Sequence, residues 1–310
     1  MKKEITVAVP VYNEKLNIHP LYERVTAVFR SLPDYDYEIV FFDDGSTDGS
    51  REEIETLSRE DPRVKAVFYY KNFGYSKTRF YSMQQAKGDC AVLIHADLQN
   101  PPELIPAFIQ KWEAGAKIVQ GVKTRSKENR LMFFLRTVFY FLMDKVFGVH
   151  IKKHVTEFGL FDRSFLDILK DIKTNSVFFR GLIAEYGTDI EYIEYTQDKR
   201  GAEQTKFNIS KYYDFAIEGI VASSKCLPRR IIALCGVLLL VLIGETIAFF
   251  IKNAGQMTPA QIENTVVLRV VLLAALCIAV LLCFIFEYII GLIARSREEP
   301  FVVEEKRIDY

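Results

Sequence analysis

Residues 5–14 read ITVAVPVYNE, in which a run of small and β-branched residues ends abruptly in polar ones. Such a run is typical of a strand that a parallel sheet buries on both faces. Further runs of this kind occur at residues 37–42, 64–69, 90–95 and 117–121. Segments with helical periodicity lie between them, at residues 14–32, 47–59 and 75–86. The alternation predicts an α/β domain with a mostly parallel, Rossmann-like sheet covered by helices on both faces.

A polar loop follows each of the first four predicted strands. The loops read PVYNE at residues 10–14, DDGSTD at 43–48, KNFG at 71–74 and HADLQNPPE at 95–103. Because ligands of parallel sheets bind at the carboxyl ends of the strands, these loops predict one crevice lined by carboxylates, amides and a lysine. Carboxylates can accept hydrogen bonds from a nucleobase or ribose, a lysine can bind a diphosphate, and Asp97 can hold a divalent cation. Alternatively, Asp44 or Ser46 caps the helix that follows.

The overall composition indicates a folded protein that does not bind nucleic acid. Of its 310 residues, 50% are apolar, and the mean hydropathy is +0.07, which excludes a disordered chain. Forty basic and forty acidic side chains leave no net charge, so nucleic acid is not an expected partner. The five cysteines show no spacing typical of a zinc site or a disulfide framework, which favours a reducing compartment.

Two long apolar runs lie near the end of the chain, at residues 231–251 and 270–294, and each contains a single acidic residue. A helix of about 21 residues rises roughly 31 Å, about the thickness of a bilayer core. Basic residues flank the pair of runs on the outside, whereas the connection between them holds only Lys252 and Arg269. This distribution predicts two membrane spans with both termini in the cytoplasm. For each run, a buried helix of a soluble core is the alternative.

The predicted organisation therefore has a cytoplasmic domain and a membrane part. The segments are a domain at residues 1–208, a juxtamembrane helix at 209–230, a span at 231–251, a short extracytoplasmic loop at 252–269, a span at 270–294 and a cytoplasmic tail at 295–310. Residues 129–148 are apolar over most of a helical circumference but too charged to span. They predict an interfacial helix, with a buried core helix as the alternative.

Taken together, several motifs resemble those of a known family. They are PVYNE and DDGS in the first two loops, NFG at residues 72–74, ADLQ at 96–99, PPE at 101–103, FRG at 179–181, Arg200 with Lys206, and Glu287 with Tyr288. The chain is similar to family 2 glycosyltransferases of the A-type fold. Within them it resembles the membrane-anchored polyprenyl-phosphate glycosyltransferases, such as undecaprenyl-phosphate glucosyltransferases and dolichol-phosphate mannose synthase. The resemblance covers nearly the whole chain.

The resemblance implies an enzyme that transfers a sugar from a nucleotide sugar, expected to be a UDP-sugar, to undecaprenyl phosphate. The reaction would take place at the cytoplasmic face of the cell membrane, with inversion at the sugar carbon. The implied cofactor is a divalent cation, Mg²⁺ or Mn²⁺, and a homo-oligomer is compatible with the resemblance. A lipid monophosphate has a second pKa near 6, so the acceptor is already largely anionic at pH 7. The site must therefore supply cations more than a strong base.

The same resemblance assigns roles to individual residues. The expected nucleotide-binding residues are Pro10, Tyr12, Glu14, Asp43, Asp44, Lys71 and Asn72. The expected metal ligands are Asp97 and His95, and the expected catalytic residues are Asp97 and Glu157. The phosphates of donor or acceptor would be bound by Arg180, Arg200 and Lys206, the last two in a loop that moves over the site. A solvated linker is the alternative for that loop.

Two positions depart from the pattern of the family. Its metal motif is usually Asp-x-Asp, whereas the first position here is His95, and its Gly-Asp-Phe-Arg motif reads TEFG at residues 156–159. Imidazole suits Mn²⁺ or Zn²⁺ better than Mg²⁺, so His95 either shifts the metal preference or faces away from the ion. A protein that binds nucleotide sugars without transferring them is one rival interpretation. A processive polysaccharide synthase is the other, but the chain lacks the Gln-x-x-Arg-Trp motif of that class.

Overall fold

The computed structural model describes residues 2–125, 155–172, 179–196, 227–252, 258–296 and 300–309. These residues form an eight-stranded mixed sheet. The strands are β1 (Lys3–Val11), β2 (Tyr35–Asp43), β3 (Val64–Tyr69), β4 (Cys90–Leu93), β5 (Ile118–Arg125), β6 (Val155–Asp162), β7 (Ile190–Thr196) and β8 (Glu304–Ile308). Their order across the sheet is β7-β5-β6-β4-β1-β2-β3-β8.

The first four strands form the parallel centre of the sheet, as the sequence predicts. Strand β1 pairs in parallel with β2 and β4, and β2 pairs in parallel with β3. The seven residues 5–11 of β1 are all buried, because helices cover both faces of this strand. In the register of the sheet Val11 stands beside Asp43, so β1 and β2 end at the same level and their loops start side by side.

Beyond β4 the sheet contains β6, β5 and β7. The sequence predicts that the parallel series continues there, but it does not. Strand β6 lies between β4 and β5 and is antiparallel to both, while β7 is parallel to β5. The predicted strand 117–121 thus exists as β5 but does not adjoin β4. Apolar runs identify strands but not their neighbours, because a parallel and an antiparallel buried strand have the same composition.

Helices pack on both faces of the sheet. They are α1 (Lys15–Arg30), α2 (Ser50–Glu60), α3 (Tyr75–Gln85), α4 (Ile105–Glu113), α5 (Arg163–Asp171) and α6 (Phe179–Tyr186). Helices α1, α2 and α4 pack with one set of sheet residues, to which Val7 and Val9 belong. Helices α3, α5 and α6 pack with the other set, to which Ala8 belongs. The alternation of Val7, Ala8 and Val9 between the two cores follows from the two-residue period of a strand.

Two long helices follow the domain, α7 (Leu227–Lys252) and α8 (Pro259–Ser296). Within α8 the stretch Glu263–Phe286 is long and apolar enough to cross a membrane, and none of its described side chains is buried. A core helix of a soluble domain would be covered, so the exposure of this stretch favours the membrane interpretation of α8. In α7 the corresponding apolar stretch among the described residues is Gly236–Phe249, which is shorter than a full span.

The chain returns to the domain after α8. Strand β8 pairs with β3 in the antiparallel direction and covers what would otherwise be an open edge of the sheet. The segment 295–310, which the sequence predicts to be a tail, therefore contains a strand of the sheet. The predicted helix at residues 129–148, most of the predicted juxtamembrane helix and the loop with Arg200 and Lys206 lie outside the described residues.

Candidate functional site at the carboxyl edge of the sheet

The loops after β1 and β2 are joined by hydrogen bonds at the carboxyl edge of the sheet. The backbone N–H of Asn13 donates to Ser46 Oγ at 2.9 Å, and the side-chain oxygen of Asn13 accepts from the N–H of Thr47 at 2.8 Å. Asn13 has a φ of 55°, a conformation that asparagine tolerates better than most residues. Sequence reasoning gave Asn13 no role of its own and considered Ser46 only as a helix cap, whereas the two residues hold the two loops together.

Asp43 and Asp44, the adjacent acids at the end of β2, have different partners. Asp43 is fully buried, and its Oδ2 accepts from Arg51 Nε at 3.0 Å and from the N–H of Ser46 at 3.2 Å. Asp44 accepts from the backbone N–H groups of Phe73 at 2.6 Å and Gly74 at 3.0 Å, so it fastens the loop after β3.

The helix-capping alternative for Asp44 and Ser46 is therefore wrong. Helix α2 starts at Ser50, whose N–H and hydroxyl bond to Asp48. Burial raises the pKa of Asp44 to about 6, although the two N–H groups act in the opposite direction.

The loop after β3 packs directly against the turn at Gly45. A Cβ atom at Gly45 would lie 2.7 Å from the carbonyl carbon of Lys71 and 2.8 Å from the nitrogen of Asn72. The φ of Gly45 is +69°, which also favours glycine. Lys71 and Asn72 are exposed, and Lys71 Nζ lies 5.3 Å from the centre of the Phe73 ring. The loop after β2 thus contacts both the loop after β1 and the loop after β3.

The other expected nucleotide-binding residues differ in accessibility. Tyr12 is 43% exposed at the mouth of the first loop. Pro10 is buried within β1, and Glu14 accepts a hydrogen bond from Asn17 at 2.5 Å within the first turn of α1. Tyr12 is therefore more accessible to a ligand than Pro10 or Glu14.

The fourth loop carries the expected metal ligands His95 and Asp97. Asp97 Oδ1 accepts from the N–H of Gln99 at 3.1 Å across a turn in which Leu98 has a φ of 60°. A leucine in this left-handed conformation is strained, and such strain is concentrated at functional sites. His95 Nε2 lies 3.0 Å from the hydroxyl of Tyr75. Burial lowers the pKa of His95 to about 4, helped by Arg79 and Arg180 and opposed by Asp97, so the imidazole is neutral at pH 7.

These two side chains are the expected donors for a metal. Among the described residues no group of three or more His, Cys, Asp or Glu side chains is placed to hold an ion. A carboxylate and a neutral imidazole still fit a divalent cation whose other positions are filled by water and by the oxygens of a diphosphate. The set suits Mn²⁺ better than Mg²⁺, because one of its two donors is nitrogen.

Glu157 on β6 is held by two arginine residues. Its Oε1 accepts from Arg180 Nε at 3.0 Å, and its Oε2 pairs with Arg79 Nη1. The arginine missing beside Glu157 in the sequence is thus matched in space by guanidinium groups from α3 and α6.

Arg79 is a residue that sequence reasoning missed. It is 1% exposed, and its guanidinium carbon lies 3.9 Å from the centre of the Tyr75 ring. The available signal was its position four residues before the buried Met83, which places a charge on the covered face of α3.

Comparison with known proteins identifies a family and several relatives that this chain resembles. The model of the family described as Glycosyl transferase family 2 matches residues 6–187. A Bacillus subtilis (strain 168) protein named uncharacterized glycosyltransferase YkcC is 32% identical over 308 residues, which are 98% of this chain and 94% of that protein. The prophage bactoprenol glucosyl transferase homolog of Escherichia coli (strain K12) is 35% identical over 229 residues, 74% of each chain.

A solved structure shows the same fold. Glucosyl-3-phosphoglycerate synthase from Mycobacterium tuberculosis, in complex with phosphoglyceric acid, superposes with a TM-score of 0.50 at 16% identity. The match covers 72% of this chain and 80% of that chain. The α/β fold of this chain is thus shared with a solved structure.

Proposed function

The chain belongs to glycosyl transferase family 2, and we propose that it transfers a sugar from a UDP-sugar to a polyprenyl phosphate at the cytoplasmic face of a membrane. Membership of the family makes it a glycosyltransferase that uses a nucleotide sugar. The UDP-sugar donor, the lipid acceptor and the arrangement in the membrane are the proposed parts.

One observation carries the proposal for the donor, namely the contact between the loops after β1, β2 and β3 around the Asp43–Asp44 pair. A carboxylate at the end of β2 can accept from the imide N–H of a uracil base. The exposed ring of Tyr12 can stack on that base, and Lys71 is free to reach a phosphate. Asp97 and His95 would hold the divalent cation, which neutralises charge on the departing diphosphate.

The proposal for the acceptor rests on the relatives and on α8. The relative from Escherichia coli is named for bactoprenol, a polyprenol, and it matches this chain over 229 residues. The uncovered apolar stretch Glu263–Phe286 is suited to the lipid environment in which a polyprenyl phosphate resides. Because the acceptor phosphate is already anionic, transfer needs a site that brings two negatively charged groups together.

The path of the chain supports two membrane crossings. The chain leaves the domain before α7 and rejoins its sheet through β8 after α8. A single crossing would put β8 and β3 on opposite sides of the membrane, so the number of crossings between them must be even. Helices α7 and α8 also contact each other, since Arg269 lies 4.2 Å from the centre of the Phe249 ring. We therefore propose spans at residues 231–251 and 270–294 and a catalytic domain with both termini in the cytoplasm.

The test is sugar transfer in membranes that contain the full chain. Labelled UDP-glucose, UDP-N-acetylglucosamine, UDP-galactose and GDP-mannose are each incubated with undecaprenyl phosphate and Mn²⁺ or Mg²⁺. A labelled lipid that requires undecaprenyl phosphate and disappears with Asp97→Asn supports the proposal. The matched control is Asp34→Asn, because Asp34 is exposed in the turn before β2, away from the loops. A water-soluble labelled product in place of the lipid would contradict the proposed acceptor.

A further inference from the structure

A buried tyrosine on β7 lies between the loop that carries the expected metal ligands and the strand that carries Glu157. Tyr195 is 6% exposed, and its hydroxyl donates to Oδ1 of Asn100 at 3.0 Å. Asn100 stands three residues after Asp97 in the loop that follows β4. The same hydroxyl lies 3.3 Å from Oγ1 of Thr156, the neighbour of Glu157 on β6. One side chain thus contacts both segments.

Close packing fixes the ring of Tyr195 in this place. Its centre lies 5.7 Å from the centre of the Phe158 ring, in an edge-to-face arrangement. A Cβ atom at Gly121 would lie 2.8 Å from Cε1 of Tyr195, so the glycine lets the ring approach β5 closely. Because a ring packed in this way has few alternative rotamers, the position of its hydroxyl is set by the fold.

The side-chain amide of Asn100 is held through its oxygen. Asn100 is 3% exposed, and its Nδ2 has no hydrogen-bond partner among the described residues. Buried polar groups are costly to leave unpaired, so the hydrogen bond between Oδ1 and Tyr195 matters for the placement of this amide.

The other end of this chain of contacts is anchored in the sheet. Oγ1 of Thr156 donates to the carbonyl oxygen of Gly121 on β5 at 2.9 Å. Hydrogen bonds and close contacts therefore lead from the loop after β4, through Tyr195, to β6 and β5.

The hydroxyl of Tyr195 remains protonated at neutral pH. Burial raises its pKa, and Asp97 acts in the same direction, whereas Thr156 and Arg180 act against it. Tyr195 is therefore a hydrogen-bond donor under the conditions of transfer, and it lies close enough to the Asp97 carboxylate for that charge to act on it.

The turn between Asp97 and Asn100 needs such support. It contains Leu98 in a left-handed conformation, with a φ of 60°. A strained turn keeps its shape only where the surrounding structure holds it. The bond from Tyr195 reaches Asn100 directly beyond this turn, so it is placed to keep Asp97 in one position.

We propose that Tyr195 is a positioning residue, which acts through Asn100 to hold the loop of Asp97 against β6 and so fixes the place of the metal relative to Glu157. Tyr195 is not itself a ligand of the ion. This inference rests on the proposed function for the metal and for the reaction that the metal serves.

Hydrogen exchange in the metal-free, full-length protein in detergent is the first test, because it requires no activity. The variant Tyr195→Phe removes one hydroxyl and keeps the ring. Tyr37→Phe is the matched control, because the Tyr37 hydroxyl on β2 has no hydrogen-bond partner among the described residues. We expect the backbone amides of residues 96–100 to exchange at least tenfold faster in Tyr195→Phe and at the wild-type rate in the control. Equal rates in all three proteins would overturn the inference.

The second test measures metal binding without transfer. Mn²⁺ is titrated into each purified protein in the presence of UDP while the thermal unfolding midpoint is followed. Tyr195→Phe should need at least fivefold more Mn²⁺ for half of the maximal shift, whereas Tyr37→Phe should keep the wild-type requirement. A Tyr195→Phe protein that unfolds at a lower temperature but keeps the wild-type Mn²⁺ requirement would have lost stability alone, and this would overturn the inference.

A double-mutant cycle shows whether Tyr195 acts through Asn100. If it does, Asn100→Ala removes the same restraint, and adding Tyr195→Phe should change the Mn²⁺ requirement less than twofold further. Effects of the two changes that multiply would overturn the inference.

Transfer kinetics separate this inference from the proposed function. In Tyr195→Phe the Mn²⁺ requirement of transfer should rise at least fivefold, while the KM for undecaprenyl phosphate stays within twofold of the wild type. A rise confined to the KM for undecaprenyl phosphate would overturn the inference. A wild type that makes no lipid product, although Tyr195→Phe weakens Mn²⁺ binding and loosens the loop, would contradict the proposed function and leave the positioning role standing.

Discussion

Arg51 and Glu305 are 254 positions apart in the chain, and their side chains form an ion pair of 2.7 Å. The same guanidinium group donates to Asp43, so one arginine joins β8, the strand that follows α7 and α8, to the acid at the end of β2. The two contacts differ in environment, because Asp43 is fully buried whereas the side chain of Glu305 is 46% exposed. The acid at the end of β2 is thus connected, through Arg51, to a segment near the far end of the chain.

The first prediction follows from that difference. Arg51→Met leaves a buried carboxylate without its cation and should lower the free energy of unfolding by about 3 kcal/mol. Glu305→Gln removes a half-exposed partner and should cost less than about 1 kcal/mol. Denaturant unfolding of the domain in detergent measures both, with a probe in the sheet. Equal losses of unfolding free energy in the two variants would show that the buried ion pair of Arg51 with Asp43 stabilises the protein no more than its exposed pair with Glu305.

The second prediction concerns pH and Asp44. Its pKa is raised from about 4 to about 6 in the folded protein, so the folded state binds a proton more tightly than the unfolded state. This contribution to stability is fully present below about pH 4 and is lost as the pH rises through about 6. Asp44→Asn does not ionise and should therefore lose less stability between pH 4 and pH 7 than the wild type, by at most ~3 kcal/mol. Unfolding curves of both proteins at pH 4 and pH 7 give the change in unfolding free energy. An equal change in wild type and Asp44→Asn would show that Asp44 does not contribute to it.

The third prediction concerns the turn at Gly45. Gly45→Ala places a Cβ against the backbone of Lys71 and Asn72 and should destabilise the protein by about 2 to 4 kcal/mol. Gly115→Ala is the matched control, because Gly115 also has a positive φ, +111°, but nothing lies near its missing Cβ. Its cost should be about 1 kcal/mol from backbone strain alone. If Gly115→Ala were as destabilising as Gly45→Ala, backbone strain alone would account for the effect, and the contact with Lys71 and Asn72 would not.

The fourth prediction concerns Asp97. Asp97→Asn should reduce transfer by at least a hundredfold while folding and membrane insertion persist, because the side chain lies on a strand-end loop and contributes no core packing. Thermal unfolding and membrane fractionation serve as controls for folding. Retention of most activity in a folded variant would remove Asp97 from the proposed metal site.

The fifth prediction concerns the metal preference. His95→Asp replaces a nitrogen donor by oxygen and should move the optimum of transfer from Mn²⁺ toward Mg²⁺. The ratio of initial rates in the two metals, measured at saturating donor, reports the change. An unchanged ratio would place His95 outside the coordination sphere and leave its contact with Tyr75 as its role.

Several features of the fold and site could be predicted from local sequence. Four apolar runs, at residues 5–11, 37–42, 64–69 and 90–95, indicate buried strands. The loops that follow these strands lie at the same edge of the sheet, as predicted. The antiparallel placement of β6 and the pairing of β8 could not be predicted in this way. Residues 304–308 read EEKRI, which lacks the apolar alternation of a strand, and they become one because the edge of β3 offers backbone partners.

What the sequence by itself determined is the identity of the strands and the position of the polar loops. Parallel strands joined by helices must all end at the same edge, so short-range pattern is enough to bring Asp44 and Asp97 to one side of the sheet. Only the tertiary structure decided which groups touch. Arg79 reaches Glu157 through the packing of α3 against the sheet, and Arg51 reaches Glu305 through the return of the chain to β3. Such contacts join residues distant in sequence, and their energies depend on burial and distance, which no local pattern encodes.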